Sequence, residues 1–504
     1  MGLSAWKVFG GARWALRVNP SSGNLHPTEA YIVRNGSVCH YAPAEHGLEL
    51  RSALPPEAWR TLSGGREGFL VALTSIPWRE AWKYGERAFR YCQHDVGHAI
   101  GALRFAAALV GWTVTPLPRW SDEQLAALVG LGRNEDGSEN AEREEPEYMA
   151  VVGAEDAPSW MAADPAALVG AARAATWQGT ANQLSPRHID WPIIDRVSDA
   201  TRCPGRGDSG LGTRDSETGS TPNARLHNSQ RAPVPIHGTL GVGHATDVAL
   251  RQLLRAPRAP SRGGSWELSA GAVILQRRSA VAFDARSALP RPRFFSMLSR
   301  LQPHAPPWDA IDWPPHVHLA VFVHRVDGLT PGVYAYLRDA TVLNEWRAAM
   351  RPAFLWEHVP TPPSPVGFGE AGGPNVPNDP NGLLFLLLPC DVTRAAKRIS
   401  CDQDIAGDGF FSLGMIARVG SSLRDRGEWF YRRLFWECGL VGQVLYLEAE
   451  GAGARGTGIG CFFDDAVHDL LGLSGGEWQS LYHFSMGMPV EDERLTTEPG
   501  YSWE

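Results

Sequence analysis

Three stretches of this sequence concentrate residue types that could do chemistry. RVNPSSGNLHPTEAYIV (Arg17–Val33) sets Pro20, Ser21, Ser22, Gly23 and Asn24 in a row between an arginine and a strand-like apolar run. Such residues make surface turns, because Pro and Gly set the backbone while Ser and Asn bond to it locally. They also leave a bare backbone with free amides, which can approach a flat ligand closely. AVILQRRSAVAF (Ala272–Phe283) ends an apolar helical run in Arg277, Arg278 and Ser279. Two planar guanidinium forks and a hydroxyl suit a phosphate, and a solvated basic turn is the competing reading of the tripeptide alone. HDVGH (His94–His98) has imidazoles at i and i+4, the spacing of metal ligands on one helix face. No third ligand accompanies it, so helix packing or a polar contact is the preferred reading, there and at HPTE (His26–Glu29) and HVHL (His316–Leu319). No metal is expected.

The elements that must position these residues are bounded by composition. The chain has 504 residues, 43% of them hydrophobic, and 19 Trp, enough for two or three domains with sizeable cores. A net charge of -8 without blocks of like charge argues against a nucleic-acid partner and against a membrane-surface helix. The most apolar run, LLFLLLPC (Leu383–Cys390), is far short of the roughly 20 residues of a membrane span and reads as a buried strand. MGLSAWK has no secretory character, and the seven scattered cysteines (39, 92, 203, 390, 401, 438, 461) include no CxxC pair. Reduced thiols acting as small buried hydrophobes, in a cytoplasmic protein, are expected.

A Gly, Ser, Asn and Arg-rich stretch from Cys203 to Gln230 has almost nothing to bury and reads as a disordered insertion or linker. Its RGD is ascribed to composition. On either side of it one pattern occurs twice: GERAFRYCQHDVGHAIGALRFAAALVGW with SDEQLAALVGL, and GEWFYRRLFWECGLVGQVLYLEAEGAGA with FDDAVHDLLGL. Gly85 aligns with Gly427 and Gly130 with Gly472 at one offset, 427 − 85 = 472 − 130 = 342. Arg90/Arg432, Gly97/Gly439 and Asp122/Asp464 fall in step. Each copy predicts a long helix with an internal glycine for close packing, a glycine stop, and a second short helix. The strands AYIV (Ala30–Val33) and AVFV (Ala320–Val323) also align, as do CHYAP and GVYAYLRD. A duplicated domain forming an intrachain pseudo-dimer is predicted, of α+β class, with mixed sheets covered by helices. The halves are placed at 1–200 and 263–504, joined by a linker at 201–262.

RRSAVAF, PSSGNLHPTEAY and the paired glycine-bearing helices resemble the nitroreductase superfamily of flavin enzymes, most closely its SagB-type branch of peptide-azoline dehydrogenases. The resemblance covers most of the chain outside the linker and implies FMN held between two domains. It implies that Arg277, Arg278 and Ser279 grip the phosphate end. Pro20, Ser21, Ser22, Gly23 and Asn24 would line the ring from the other half. Gly456, Thr457, Gly458, Ile459 and Gly460 would turn backbone amides to the ring and stabilise its reduced form. Gln403 and Arg494 are further candidates. Lys83 and Tyr84, in EAWKYGERAFRY, match the family's acid/base pair, for which a surface cap is the competing reading.

Only one combination of motifs is complete. The second half has RRS but reads DWPPHVHL where PSSGNLHP would stand, and the first has PSSGN with no RRS-like segment in the sequence preceding it. The 342 offset sets Asp425 and Arg426 against Lys83 and Tyr84. One composite FMN site is therefore expected, serving hydride transfer between flavin and an organic substrate such as a peptide azoline. The alternatives are an NAD(P)H-dependent nitro, quinone or ene reductase, with the nicotinamide entering transiently, and a flavin-binding scaffold without catalysis. No GxGxxG follows a strand, so no separate dinucleotide fold is expected.

Overall fold

Two apolar helices with a glycine at their centre can approach until their backbones touch, and this approach organises the molecule. The computed structural model describes residues 1–133, 142–153, 157–205 apart from 182 and 186, 269–360 and 383–501. The long helices Ala88–Leu109 and Phe430–Gly451 hold the predicted offset, 430 − 88 = 451 − 109 = 342. A Cβ on Gly97 would overlap Trp436 O and stand 2.8 Å from Gly439 Cα; one on Gly439 would overlap His94 O and stand 2.9 Å from Gly97 Cα. The contact is reciprocal, as at an isologous interface. The aligned charges cross the seam as well: Arg90 Nη1 pairs with Asp464 Oδ1 at 2.7 Å, and Arg432 pairs with Asp122.

The first half contributes β1 (Leu3–Phe9), β2 (Ala12–Arg17), β3 (Thr28–Arg34), β4 (Ser37–Ala42), β5 (Gly47–Ala53), β6 (Phe69–Ser75), β7 (Thr113–Pro116) and β8 (Glu145–Gly153). The second contributes β9 (Val317–Val323), β10 (Gly332–Leu337), β11 (Glu357–His358), β12 (Leu383–Pro389), β13 (Phe411–Arg418), β14 (Arg455–Ile459), β15 (Trp478–Gly487) and β16 (Thr496–Pro499). Sheet order β5-β4-β3-β6-β8-β7 in one half matches β12-β10-β9-β13-β15-β14 in the other, where β11 is added at the edge. Leu383–Leu387 of the LLFLLLPC run are buried within β12. The two halves thus share a topology as well as a sequence pattern.

The tandem α+β arrangement agrees with the sequence, but the sheets do not mix directions. Every ladder among the described strands is antiparallel. Among the described residues parallel pairing occurs only as the isolated bridges Ser279–Gly456 and Leu289–Val326. Hairpins and reversed returns need no parallel crossover, so helix-and-strand alternation alone did not reveal direction.

A third sheet, β16-β1-β2, sews the end of the second half onto the start of the first. The largest core is common to both halves, with Val96, Ile100 and Tyr148 beside Trp436, Leu440 and Leu445. The insertion proposed at 201–262 lies outside the described residues from 206 onward.

Candidate active site

The PSSGN turn is held from both halves. Gly23 (φ 59°) and Asn24 (φ 61°) are left-handed, a conformation glycine adopts without strain and asparagine tolerates. Asn24 N–H donates to Ser21 O (3.1 Å), His26 N–H to Ser21 Oγ (2.8 Å) and Asn24 Nδ2 to Ala15 O (2.8 Å). Arg277, from the second half, donates through Nε to Val18 O (3.0 Å) and through Nη2 to Arg17 O (3.2 Å). The arginine of RRS therefore grips the backbone that leads into PSSGN. The two motifs are neighbours.

Lys83 and Tyr84 close the short helix Trp78–Tyr84 and stand over the same turn. A Cβ on Gly23 would come within 2.6 Å of Tyr84 Oη and 2.8 Å of Lys83 Nζ. Lys83 is exposed and Tyr84 half-buried, and Nζ lies 5.1 Å from the Tyr84 ring centre. Tyr84 meets Tyr91 edge-on with centroids 4.7 Å apart, and a Cβ on Gly460 would overlap Tyr91. Lys83 and Tyr84, the turn at Gly23 and Gly460 after β14 are thus neighbours, linked through Tyr91.

At the other end, cations outnumber anions. Arg278 N–H donates to Glu450 Oε1 (3.0 Å), and Arg455 pairs with Glu491 (2.6 Å). Burial and the neighbouring Arg277 push Arg278 down to about 10, and burial lowers Arg277. Lys7 is lowered by burial and by Arg278 and Arg455. Arg277 Nη1 is buried and has no protein partner. Crowded, desolvated guanidinium groups with a free donor fit an anionic group such as a phosphate. Ser279 Oγ lies 2.9 Å from Tyr446 Oη, which accepts Gly458 N–H at 2.7 Å.

β14 is an edge strand, so its outer backbone edge is not covered by another strand of its sheet. Gly456, Gly458 and Gly460 share one face, where a Cβ would overlap Phe484, Tyr482 and Tyr91 respectively. Thr457 and Ile459 alternate onto the other face. Gly456 O accepts Ala280 N–H (3.0 Å), and Gly460 O accepts Arg87 Nη1 (3.3 Å). The glycines thus serve close aromatic packing, and the Gly458 amide is already engaged by Tyr446 Oη. Gln403 donates to Ser400 O (2.7 Å) and Cys461 O (3.1 Å), tying down the segment after β14. Arg494 is not drawn into the cluster: it is exposed, and its fork is used on Asp492 at 2.8 and 2.7 Å.

Sequence reasoning missed what lies beneath the turn. Ser21 Oγ donates to Glu80 Oε1 (3.4 Å), and Asp95 is bonded by the Ser21 side chain and the Ser22 backbone. Both carboxyls are buried, and both are pushed well up, by burial first and for Glu80 also by Asp95. Glu80 Oε2 and Asp95 Oδ2 have no partner. The one available signal was Asp95 inside HDVGH, an acid on the apolar face of a packing helix. The histidines beside it pack as expected: His94 stacks on Tyr482 at 4.1 Å, and His98 Nε2 lies 3.2 Å from its hydroxyl.

The duplicate position is filled. Offset 342 carries Asp95 to Glu437, which accepts Trp313 Nε1 (3.3 Å), His316 N–H (3.1 Å) and Val317 N–H (3.1 Å) and pairs with the buried Arg338. It carries Tyr91 to Arg433, which lies 4.0 Å over the Trp436 ring. Indoles and the buried Arg338–Glu437 ion pair stand at the positions equivalent to the first seam. A separate surface cavity of about 310 Å³ is lined by Glu86, Arg87, Phe89, Arg90 and Tyr431 among others.

The fold and this seam place the chain with the nitroreductases in architecture. Residues 391–488 match the family model described as Nitroreductase family. A crystal structure from Anabaena variabilis, named for a nitroreductase, is similar over 97% of this chain and 86% of its own, with a TM-score of 0.61 and 18% identity. That likeness establishes the tandem nitroreductase fold for almost the whole chain. A Ralstonia eutropha protein also named for a nitroreductase (TM-score 0.29, 13% identity, 47% of this chain and 89% of that one) is a weaker match. So is a chain of the E. coli microcin synthetase McbBCD complex with truncated pro-MccB17 bound (0.31, 15%, 51% and 85%). No curated protein matches the sequence. Among the described residues no helix is long and apolar enough to cross a membrane.

Proposed function

We propose that the chain is an FMN-dependent oxidoreductase with one flavin per chain, held in the seam that joins PSSGN to RRS. The observation that carries this reading is Arg277 of the second half on the carbonyls of Arg17 and Val18, with Nη1 left over for an anion. Arg277, Arg278 and Ser279 hold the phosphate, and the Ser21–Asn24 turn receives the ring. FMN supplies a two-electron acceptor or donor for hydride. The organic substrate enters over Gly23, where Tyr84 Oη and Lys83 Nζ converge from the first half alone. In the oxidation of a peptide azoline, Lys83 Nζ or Tyr84 Oη takes the proton released from the ring carbon, a task for a positioned base. The same pair gives a proton to substrate in the reductive direction.

The test is the visible spectrum of the purified chain, with the released cofactor identified by mass and counted. One FMN per chain, lost in Arg277→Ala/Arg278→Ala, supports the seam. A chain that cannot be loaded with FMN sinks the reading and leaves a scaffold. With FMN bound, Lys83→Ala and Tyr84→Phe each lower turnover by about 10²- to 10⁴-fold if they are the acid and base. Turnover of azoline peptides without NAD(P)H supports the dehydrogenase; steady NAD(P)H consumption with quinones or nitroarenes supports the reductase.

A further inference from the structure

Cys401 and Cys461 are 60 residues apart in sequence, and their sulfurs are 2.6 Å apart. Cys401 lies in the loop between helices Thr393–Ile399 and Ile405–Asp408, where it and Asp402 both have left-handed backbones (φ 56°). Cys461 follows Gly460 directly. Its carbonyl accepts Gln403, and the carbonyls on either side of it accept Arg87, at 3.3 Å from Gly460 and 3.1 Å from Phe462. Both thiols are thus held facing each other by contacts from three segments. Cys461 is exposed and Cys401 half-buried, whereas Cys39, Cys92, Cys203 and Cys438 are buried. The buried-hydrophobe reading therefore holds for those four cysteines and fails for Cys390, Cys401 and Cys461. Position 461 maps by the 342 offset to Arg119, so the pair belongs only to the half that carries β14.

We propose that Cys401 and Cys461 form a reversible redox modification site, a dithiol that a small-molecule disulfide converts to an internal disulfide. The exposed Cys461 thiolate attacks one sulfur of the external disulfide, whose S–S bond breaks and releases one thiolate, which takes up a proton. Cys401 then attacks the Cys461 sulfur of the mixed disulfide and releases the second thiol. Two electrons pass to the external disulfide, and two protons go from the cysteines to its two thiols. Burial, followed by the contact with Cys461, pushes Cys401 up to about 12, which leaves first attack to the exposed Cys461, while its place 2.6 Å from the Cys461 sulfur makes Cys401 the resolving thiol. The closed bond fixes the end of β14, and with it Gly460 under Tyr91, to the 400–403 loop. This inference does not depend on what binds in the seam.

The experiment treats the full chain with oxidised glutathione, traps free thiols by alkylation, and maps unreduced peptides by mass. In wild type the peptides containing 401 and 461 are joined, and outnumber glutathione on Cys461 by about tenfold or more. Cys401→Ser reverses that ratio, since the adduct on Cys461 has no resolving thiol. In Cys461→Ser, Cys401 stays a free thiol while the exposed Cys390 still acquires glutathione as the internal control. Wild type that retains glutathione on Cys461 at the Cys401→Ser level, or that gives neither joined peptides nor adduct there, overturns the proposal.

Discussion

At Gly23 a single hydrogen separates an open turn from a collision. A Cβ there would stand within 2.8 Å of both Lys83 Nζ and Tyr84 Oη, and φ is +59°. Gly23→Ala is therefore expected to cost about 1–2 kcal/mol from backbone strain and to push the pair off its position. Turnover should fall by about 10²-fold or more while FMN stays bound, because displacement of a positioned proton donor is costly. Unchanged turnover would mean that the pair does not act over this turn. Beneath it, Asp95 and Glu80 have raised pKa values in the fold. The folded state thus holds more protons than the unfolded chain above the ordinary carboxyl range near 4, and stability from this pair is lost as pH rises toward the raised values. Asp95→Asn cannot ionise, so its stability relative to wild type should improve by on the order of 1–3 kcal/mol between pH 5 and pH 8. Denaturant melts at the two pH values read this directly, and a difference that does not change with pH removes the protonated pair. PSSGN, RRS and Lys83–Tyr84 were legible as local strings with distinctive chemistry. The Ser21–Glu80–Asp95 cluster was not, because its members lie on three separate elements that only packing unites.

The seam shows how far a repeat can be read at the scale of elements. A constant offset of 342 revealed two equivalent helices, and the matching glycines foretold close packing. It could not reveal that Arg90 and Arg432 would take each other's Asp, since alignment gives equivalence and not contact. Nor are the two crossings equal. Arg432 is 3% exposed and is bonded to Asp122 and Glu147 with Pro146 O and Thr201 O, whereas Arg90 and Asp464 are part-exposed. Removing one partner of a buried pair leaves an uncompensated charge, at about 3–5 kcal/mol, whereas an exposed pair contributes about 0–1 kcal/mol. Asp122→Ala removes one of the two carboxylates on Arg432 and leaves Glu147, so it should destabilise the chain by about 2–3 kcal/mol, against less than about 1 kcal/mol for Asp464→Ala. Equal losses in urea unfolding would show that burial does not set the difference. Arg494 shows a different limit: the resemblance sets a late basic residue near the phosphate, and in the fold Arg494 is exposed and pairs with Asp492, two residues away.

For the whole molecule, the halves are bound by more than the peptide that connects them. β16 pairs with β1, the long helices meet backbone to backbone, Arg432 is enclosed by the first half, and Arg277 holds the strand leading into PSSGN. These contacts bury a core drawn from both halves, the interior of an obligate dimer in a single chain. The asymmetry follows from the same union. One seam brings the two motifs together, whereas the equivalent positions of the other hold Trp313, Glu437 and Arg338. A chain cut at a protease site introduced between residues 206 and 268 should therefore run as one particle of full mass. It should also keep one FMN per particle, since the described residues of the seam lie on either side of that interval. Gel filtration with absorbance at the flavin band measures both at once. Separation into two colourless halves would mean that the unbroken connection itself holds the seam together; a single flavin-bearing particle would mean that the contacts between the halves hold it without a continuous chain.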